Sequence, residues 1–415
     1  RRATQSATGI KNSRIAGAVI TMDRAETKNE FTKDEDGMEL ITRSCCAVTG
    51  SKDLEPLHEV RRFPVFMGCV NSPASQDVVV DMRWSISRSS GLIQLSSLIP
   101  LDVLYFESHG SGGVGRLWDM HHKAFAKYLS HTTPQSVLEI GGSHGILSCE
   151  YKQFGKIPWT ILEPNPSPVE GCDALYIKGF FGDNFTLDEP VDTVVHSHVF
   201  EHVYEPDQFM RHVASFMEQG KHLVFSLPNL QRMLEKKYTN CINFEHTVFL
   251  TEPYIEYLLA KNGFRLTDKE YFLEDHSIFY TAVRDLSVTP VALQSNFYAE
   301  NRQIYQEYVD YHDELIGDLN HRVQATTASI YLFGAHIFSQ YLIMNGLTTG
   351  RIVNILDNDP GKQGRRLYGT DLVVESPSVL RGLISPVVIL KAGIYNEEIK
   401  VDILENINNS VVFLE

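Results

Sequence analysis

The sequence predicts an α/β protein: a Rossmann-like middle unit, a small β-rich unit before it and a second Rossmann-like α/β unit after it. Three observations lead there. Ser136-Val-Leu-Glu-Ile-Gly-Gly-Ser-His-Gly145 reads as a β-branched strand that ends in an acid and passes through a glycine-rich turn into a helix. Strand and helix signals then alternate as they do in a parallel sheet wrapped by helices. The same alternation restarts at Ser329.

At 415 residues the chain exceeds what one ordinary core organises, so two or three domains are expected. Its 43% hydrophobic and 21% charged residues fit a soluble globular protein. With 37 basic against 52 acidic residues, a net charge of −15 and no lysine- or arginine-rich run, nucleic acid is not an expected partner. No run of about eighteen apolar residues suggests a membrane span. Cys45, Cys46, Cys69, Cys149, Cys172 and Cys241 lack the spacing of a disulfide framework and read as reduced thiols. Residues 1–38 are polar, without a signal-peptide core, and read as a loosely ordered tail; a cytoplasmic location is expected.

Residues 39–112 are turn-rich, with Phe63-Pro-Val-Phe66 and Val78-Val-Val-Asp-Met82 as strand candidates, and form the β-rich unit. The middle unit, 113–290, opens with helical periodicity from Gly115 through Leu117, Met120, Phe125 and Leu129. Strands follow at 136–140, 159–162, 174–177, 193–196 and 222–227, with edge-strand material at 272–282. Residues 291–415 begin with a polar helical connector over 297–324. Then come a strand at 329–333, the turn Gly334-Ala335, a helix over 337–345 and a strand at 352–356 that ends at Asp357.

The glycine turn departs from the G-x-G-x-x-G spacing of dinucleotide sites, and its acid lies inside the motif, which favours S-adenosylmethionine (SAM) over NAD. Glu139 is placed to accept hydrogen bonds from a cationic amino-acid ligand, while Gly141, Gly142 and Gly145 allow close backbone approach. Glu163, one βαβ step later, suits two ribose hydroxyls. Asp183 suits a place beside adenine, although an ordinary turn aspartate explains it equally well.

His196-Ser-His-Val-Phe-Glu-His202 holds three histidines, but alternation on a strand end separates them, so no metal is assigned. His202 is expected to face the substrate pocket and His196 to pack. His198 is expected to make local hydrogen bonds and to border the cofactor. Farther on, Asn243-Phe-Glu-His246 offers an adjacent carboxylate and imidazole suited to proton abstraction; by local spacing alone a surface pair is the plainer reading.

Taken together, these residues resemble the bacterial nucleotide-sugar C-methyltransferases, from about Cys45 to the C-terminus. The family's acid-Ile-Gly turn matches Glu139-Ile-Gly-Gly-Ser-His-Gly145, its Val-x-x-His-Val stretch matches Val199-Phe-Glu-His-Val203, and its His-Glu-His loop matches Phe244-Glu-His246. Its Asp-x-x-Pro-x-Lys-Gln-Gly turn matches Asp357-Asn-Asp-Pro-Gly-Lys-Gln-Gly364, and Asn-x-x-Glu-Ile matches Asn396-Glu-Glu-Ile399.

The resemblance implies a class I SAM-methyltransferase fold in the middle unit, SAM as cofactor, and a nucleotide-linked sugar held between the middle and C-terminal units. It implies deprotonation beside a 4-keto group and attack of the enediolate on the sulfonium methyl. His246 would be the base, Glu245 its orienter and His202 the oxyanion stabiliser. Phe106, His109, Asn243, Gly334, Asp357, Lys362 and Asn396 would contact the substrate.

Departures from the family fall around the sugar pocket. Its two Cys-x-x-Cys zinc pairs align with Cys46-Ala-Val-Thr49 and Ser87-Arg-Ser-Ser90, so no zinc is expected from one thiolate. A family tyrosine becomes Phe106, with Glu107 or His109 as polar substitutes; the first histidine of His-Glu-His becomes Phe244, and the tyrosine before it Asn243. Methyl transfer to oxygen or nitrogen of a related small polar acceptor, and a non-catalytic SAM- or nucleotide-binding module, are the alternatives. Monomer and homodimer both remain open.

Overall fold

The computed structural model describes residues 30–33, 37–105, 115–182, 184–294 and 296–415. Its central element is a seven-stranded sheet. In spatial order the strands are Leu175–Lys178, Trp159–Glu163, Val137–Ile140, Thr193–Ser197, His222–Pro228, Ser277–Arg284 and Phe264–Phe272. The first five are parallel, and the last two form an antiparallel hairpin added at one edge. Val137, Leu138, Val194, Val195, Leu223 and Val224 are buried, as expected for strands covered on both faces.

The edge differs from its expected form. Residues 272–282 are not one strand: the short helix Leu273–His276 separates two, and Leu273 takes φ 45°, so the chain reverses there. The helix Arg116–Ser130 buries Leu117, Phe125 and Leu129, whereas Met120 is 42% exposed and lies off the apolar stripe.

Upstream, Leu54–Pro64 pairs with Val79–Ser87, which pairs with Ile93–Leu95. Phe63 and Pro64 therefore close a long strand rather than open a short one. Glu39–Thr42 lies between Glu30–Lys33 and Ser97–Leu98 in a second small sheet. Downstream, five parallel strands run in the order Val374–Glu375, Ile352–Leu356, Ile330–Phe333, Val387–Leu390 and Val412–Leu414.

The helix Phe297–Ala325, expected as a polar connector, is a core element. Tyr305, Tyr308, His312, Ile316, Leu319 and Val323 recur at helical spacing and are buried. Tyr305 and Tyr308 share one apolar cluster with Phe63 and Trp84 of the N-terminal strands, Phe244 and Phe249 of the middle unit, and Tyr341 and Tyr368 of the C-terminal unit. Asp77 adds a bidentate ion pair to Arg366, at 2.6 and 2.7 Å. Among the described residues no helix is long and apolar enough to cross a membrane.

Candidate active site

The strand order of the large sheet reverses between Val137–Ile140 and Thr193–Ser197. At such a switch point the crevice beyond the carboxyl ends of the strands receives the ligand. The glycine turn lies there. Gly141 and Gly145 both take φ 72°, and Ser143 takes φ 40°. A Cβ on Gly141 would stand 2.6 Å from Val199 Cγ2, and one on Gly145 2.5 Å from Cys172 Sγ. The glycines are thus demanded by the protein's own packing as well as by any approaching ligand. Gly142 is demanded by Glu139, whose Cδ would lie 2.7 Å from an added Cβ.

Glu139 is 3% exposed and accepts a hydrogen bond from Trp159 Nε1 at 2.8 Å. Burial pushes its carboxyl up to about 7; the indole bond opposes the rise and Glu163 adds to it. Glu163 accepts from Ser143 N at 3.0 Å and from Asn165 N at 2.9 Å, one on each oxygen. It therefore braces the turn, and each oxygen retains a second lone pair for a hydroxyl. Asp183, Phe106, Glu107 and His109 lie outside the described residues.

The histidine-rich stretch diverges in space. His196 is fully buried and stacks on Phe225 at 4.9 Å and 18°, a packing role. His198, at φ 51°, meets Ser277 Oγ through Nε2 at 2.9 Å and Glu201 Oε1 through Nδ1 at 3.4 Å. His202 closes the short 3₁₀ turn Phe200–His202 and comes within 5.6 Å of the His246 ring, centroid to centroid.

Each of these last two rings has a tautomer set by a carbonyl. His202 Nδ1 lies 3.0 Å from the Glu245 carbonyl and His246 Nδ1 3.2 Å from that of Cys241. A carbonyl only accepts, so Nδ1 carries hydrogen in both rings and Nε2 is left for chemistry. The Glu245 carboxylate lies 3.8 Å from His202 Nδ1. Expected to orient His246, it acts on that ring through its charge, while the hydrogen bond to His246 Nδ1 is with the Cys241 carbonyl. Burial, then the charge of His202, lowers the His246 imidazole to about 4.

Asn243 also differs from expectation. Its Oδ1 accepts from Glu245 N and His246 N, both at 2.8 Å, and its Nδ2 donates to Asn240 O at 3.1 Å. With 1% exposure it shapes the loop instead of facing a sugar. Phe244 anchors the same loop edge-on against Phe63, 6.0 Å away.

In the C-terminal unit Gly334 turns at φ 102° after its strand. Asp357 receives Ala335 N at 2.9 Å and Lys362 Nζ at 3.1 Å, and Asn396 receives Ala392 N at 2.8 Å. Among the described residues, no hydrogen bond or ion pair joins Gly334, Asp357, Lys362 or Asn396 to the His202–His246 pair. The two units do touch nearby: Thr239 Oγ1 donates to Lys391 O at 2.8 Å.

Three residues missed by sequence reasoning complete the site. Glu201 is 1% exposed, and its Oε1 is 3.8 Å from His202 Nε2. Burial raises its carboxyl, but His202, His198 and His246 outweigh burial and bring it to about 2. Its i,i+3 spacing from His198 was the available signal. Tyr105 has its hydroxyl pushed well above the usual range by burial and then by Glu245, Tyr204, Glu201 and Glu163. Arg43 donates to Leu95 O and Thr247 O, each at 2.9 Å, pinning the N-terminal unit to the residue after His246. Long sequence separation hid both.

The positions aligned with the family's zinc pairs also meet: Cys46 Sγ is 3.3 Å from Ser90 Oγ, and Ser87 Oγ donates to Asp53 at 2.8 Å.

A family described as a methyltransferase domain matches residues 115–269. No curated protein matches the chain. Among solved structures, the chain is similar to magnesium protoporphyrin IX methyltransferase (ChlM) from Synechocystis PCC 6803 with bound SAH. Identity there is 19% and the TM-score 0.34, over 42% of this chain and 90% of that one. It is similar to 1,6-didemethyltoxoflavin-N1-methyltransferase from Burkholderia thailandensis at 13% identity and TM-score 0.33, over 40% and 79%. An O-methyltransferase family protein from the same organism gives 14% and 0.34, over 41% of this chain; the match spans 57% of that protein's length. The acid-glycine turn and the switch point both lie inside the segment that matches the methyltransferase-domain family, residues 115–269.

Proposed function

We propose that this chain is a SAM-dependent methyltransferase, built around the domain matched at 115–269, that acts on a nucleotide-linked keto sugar and methylates carbon. The observation that carries the reading is the pairing of His202 with His246, 5.6 Å apart and differently surrounded, beyond the same sheet that presents the glycine turn. His246, kept neutral by burial, has its Nε2 lone pair available as a base. His202 has a carboxylate oxygen of Glu201 and one of Glu245 each 3.8 Å from a ring nitrogen, surroundings that favour an imidazolium, whose Nε2–H would donate to a developing oxyanion.

In this reading His246 takes the proton from carbon beside the ketone, and the negative charge moves to the ketone oxygen opposite His202. The carbon then attacks the SAM methyl, the sulfur–methyl bond breaks, and S-adenosylhomocysteine leaves. In-line alignment is the main demand on the protein. Tyr105 is proposed to supply the aromatic hydroxyl that Phe106 cannot. Gly334, Asp357, Lys362 and Asn396 are proposed to hold the nucleotide part, as the resemblance implies. The middle unit and the two flanking units would then act as three domains.

The test is incubation of the protein and SAM with nucleotide-linked 4-keto sugars in deuterated water, read by mass spectrometry and NMR. A carbon-bound methyl group and exchange of the adjacent proton are expected. A product methylated without any exchange would overturn the carbon-acid mechanism.

A further inference from the structure

Beneath the carboxyl ends of the large sheet, His121, His198 and His276 bring one ring nitrogen each to within 4.8 Å of one another. They come from distant places in the chain: the helix Arg116–Ser130, the turn after Thr193–Ser197, and the helix Leu273–His276. His121 is fully buried and His276 is 7% exposed. Their ring centroids lie 5.2 Å (His121–His198), 5.4 Å (His121–His276) and 5.9 Å (His198–His276) apart. Trp118 covers all three edge-on, at 5.2, 4.9 and 5.2 Å from His121, His198 and His276.

His121 and His276 each carry a hydroxyl on one ring nitrogen, as ligating histidines do, whereas His198 Nε2 meets Ser277 Oγ and would exchange that contact for the metal. A metal-bound imidazole usually gives its second nitrogen to a carboxylate, carbonyl or hydroxyl, which fixes ring and tautomer. His121 Nε2 meets Ser226 Oγ at 3.0 Å, while its Nδ1 is buried without a hydrogen-bond partner. His198 Nδ1 faces Glu201 Oε1 at 3.4 Å. His276 Nδ1 is hydrogen-bonded to Ser277 Oγ at 2.5 Å, and the same hydroxyl meets His198 Nε2 at 2.9 Å. His198 is also held at φ 51°, a conformation a non-glycine residue takes only when its surroundings impose it.

We propose that His121, His198 and His276 bind one divalent transition-metal ion of the zinc type, with Ser226 and Glu201 orienting the ligands. Three imidazoles select a borderline metal over magnesium or calcium, which prefer oxygen. Metal–nitrogen bonds of about 2.0–2.1 Å place tetrahedral ligand atoms roughly 3.4 Å apart, so ring nitrogens within 4.8 Å of one another close by at most about 1.4 Å. A fourth position remains for water or a substrate oxygen. Glu201 also faces His202, so the ion would stand one carboxylate away from the proposed methyl-transfer pair. The proposal does not depend on the identity of the methyl acceptor.

The test is titration of the chelator-treated full chain with Co²⁺, read by visible absorption and by thermal melting. One equivalent, d–d bands of tetrahedral intensity and a raised melting temperature are expected. His276→Gln and His198→Gln should abolish the bands, and Glu201→Gln should weaken Co²⁺ binding by about 10- to 100-fold. His246→Gln, which alters the separate Glu201–His202–His246 group, should retain them. Circular dichroism of the metal-free variants checks folding. Absence of stoichiometric Co²⁺ binding by the wild-type chain, or bands that survive in folded His276→Gln and His198→Gln, overturns the proposal. So do bands lost in folded His246→Gln.

Discussion

The Trp159 indole donates its Nε1 hydrogen to Glu139 Oε2 at 2.8 Å, beneath the glycine turn. The acid near the end of the strand Val137–Ile140 is 3% exposed, and burial favours its protonated form.

With SAM bound at this turn as proposed, its affinity should depend on pH. The folded Glu139 carboxyl is raised from 4.5 to about 7, so between these values the folded chain binds more protons than the unfolded one, and stability falls as pH rises through the window. The shift corresponds to roughly 3 kcal/mol. A SAM ammonium group reverses the penalty by pairing with the ionised acid. Calorimetry should show SAM affinity rising as pH increases through about 7, and Glu139→Gln should flatten the profile.

Gly145→Ala should damage the turn directly. Its φ of 72° costs an L-residue about 1–2 kcal/mol, and the new Cβ would meet Cys172 Sγ and Tyr176 OH at 2.5 and 2.6 Å. SAM affinity should drop by at least about tenfold. Unchanged affinity would show that the turn does not contact the cofactor.

His246→Gln should lower methyl transfer by about 10²- to 10⁴-fold with SAM affinity retained. Because its imidazole lies at about 4 in the folded chain against 6.5 unfolded, the unfolded state binds the extra proton, and stability is lost as pH falls from 6.5 towards 4. The variant should melt with a weaker acid dependence over that window. With His246 as the proposed base, neutral across that window, the acid limb of kcat/KM for the acceptor, measured with SAM saturating at every pH, should fall near pH 4 and not near 6.5.

Asn243→Ala removes the acceptor for two backbone N–H groups in the loop that carries His246. A loss of about 1–3 kcal/mol is expected in denaturant unfolding. Because the effect passes through loop geometry, kcat should fall more than SAM affinity. Equal loss in both would assign Asn243 a different role.

Much of the middle sheet was legible because its strands are short apolar runs punctuated by turns, and in the downstream sheet the strand at 352–356 agrees to the residue. The hairpin at 264–284 was not, because the break at Leu273 depends on a backbone conformation that carries no residue signature. The helix Phe297–Ala325 was misjudged for another reason: the first half of its buried face is Tyr305, Tyr308 and His312, which read as polar until neighbours cover them, and only the second half is aliphatic.

What the sequence determined by itself was the acid-glycine turn at the switch point: Glu139, the glycines and Glu163 are local features, set by strand ends and turns within one stretch of chain. The tertiary structure decided the rest. It placed the Glu245 carboxylate beside His202, put the Cys241 carbonyl behind His246, turned Asn243 into a loop staple, and gathered His121, His198 and His276 under the sheet. Those relations join residues from separate elements across close-packed contacts, and no local spacing encodes a distance between side chains that only folding brings together.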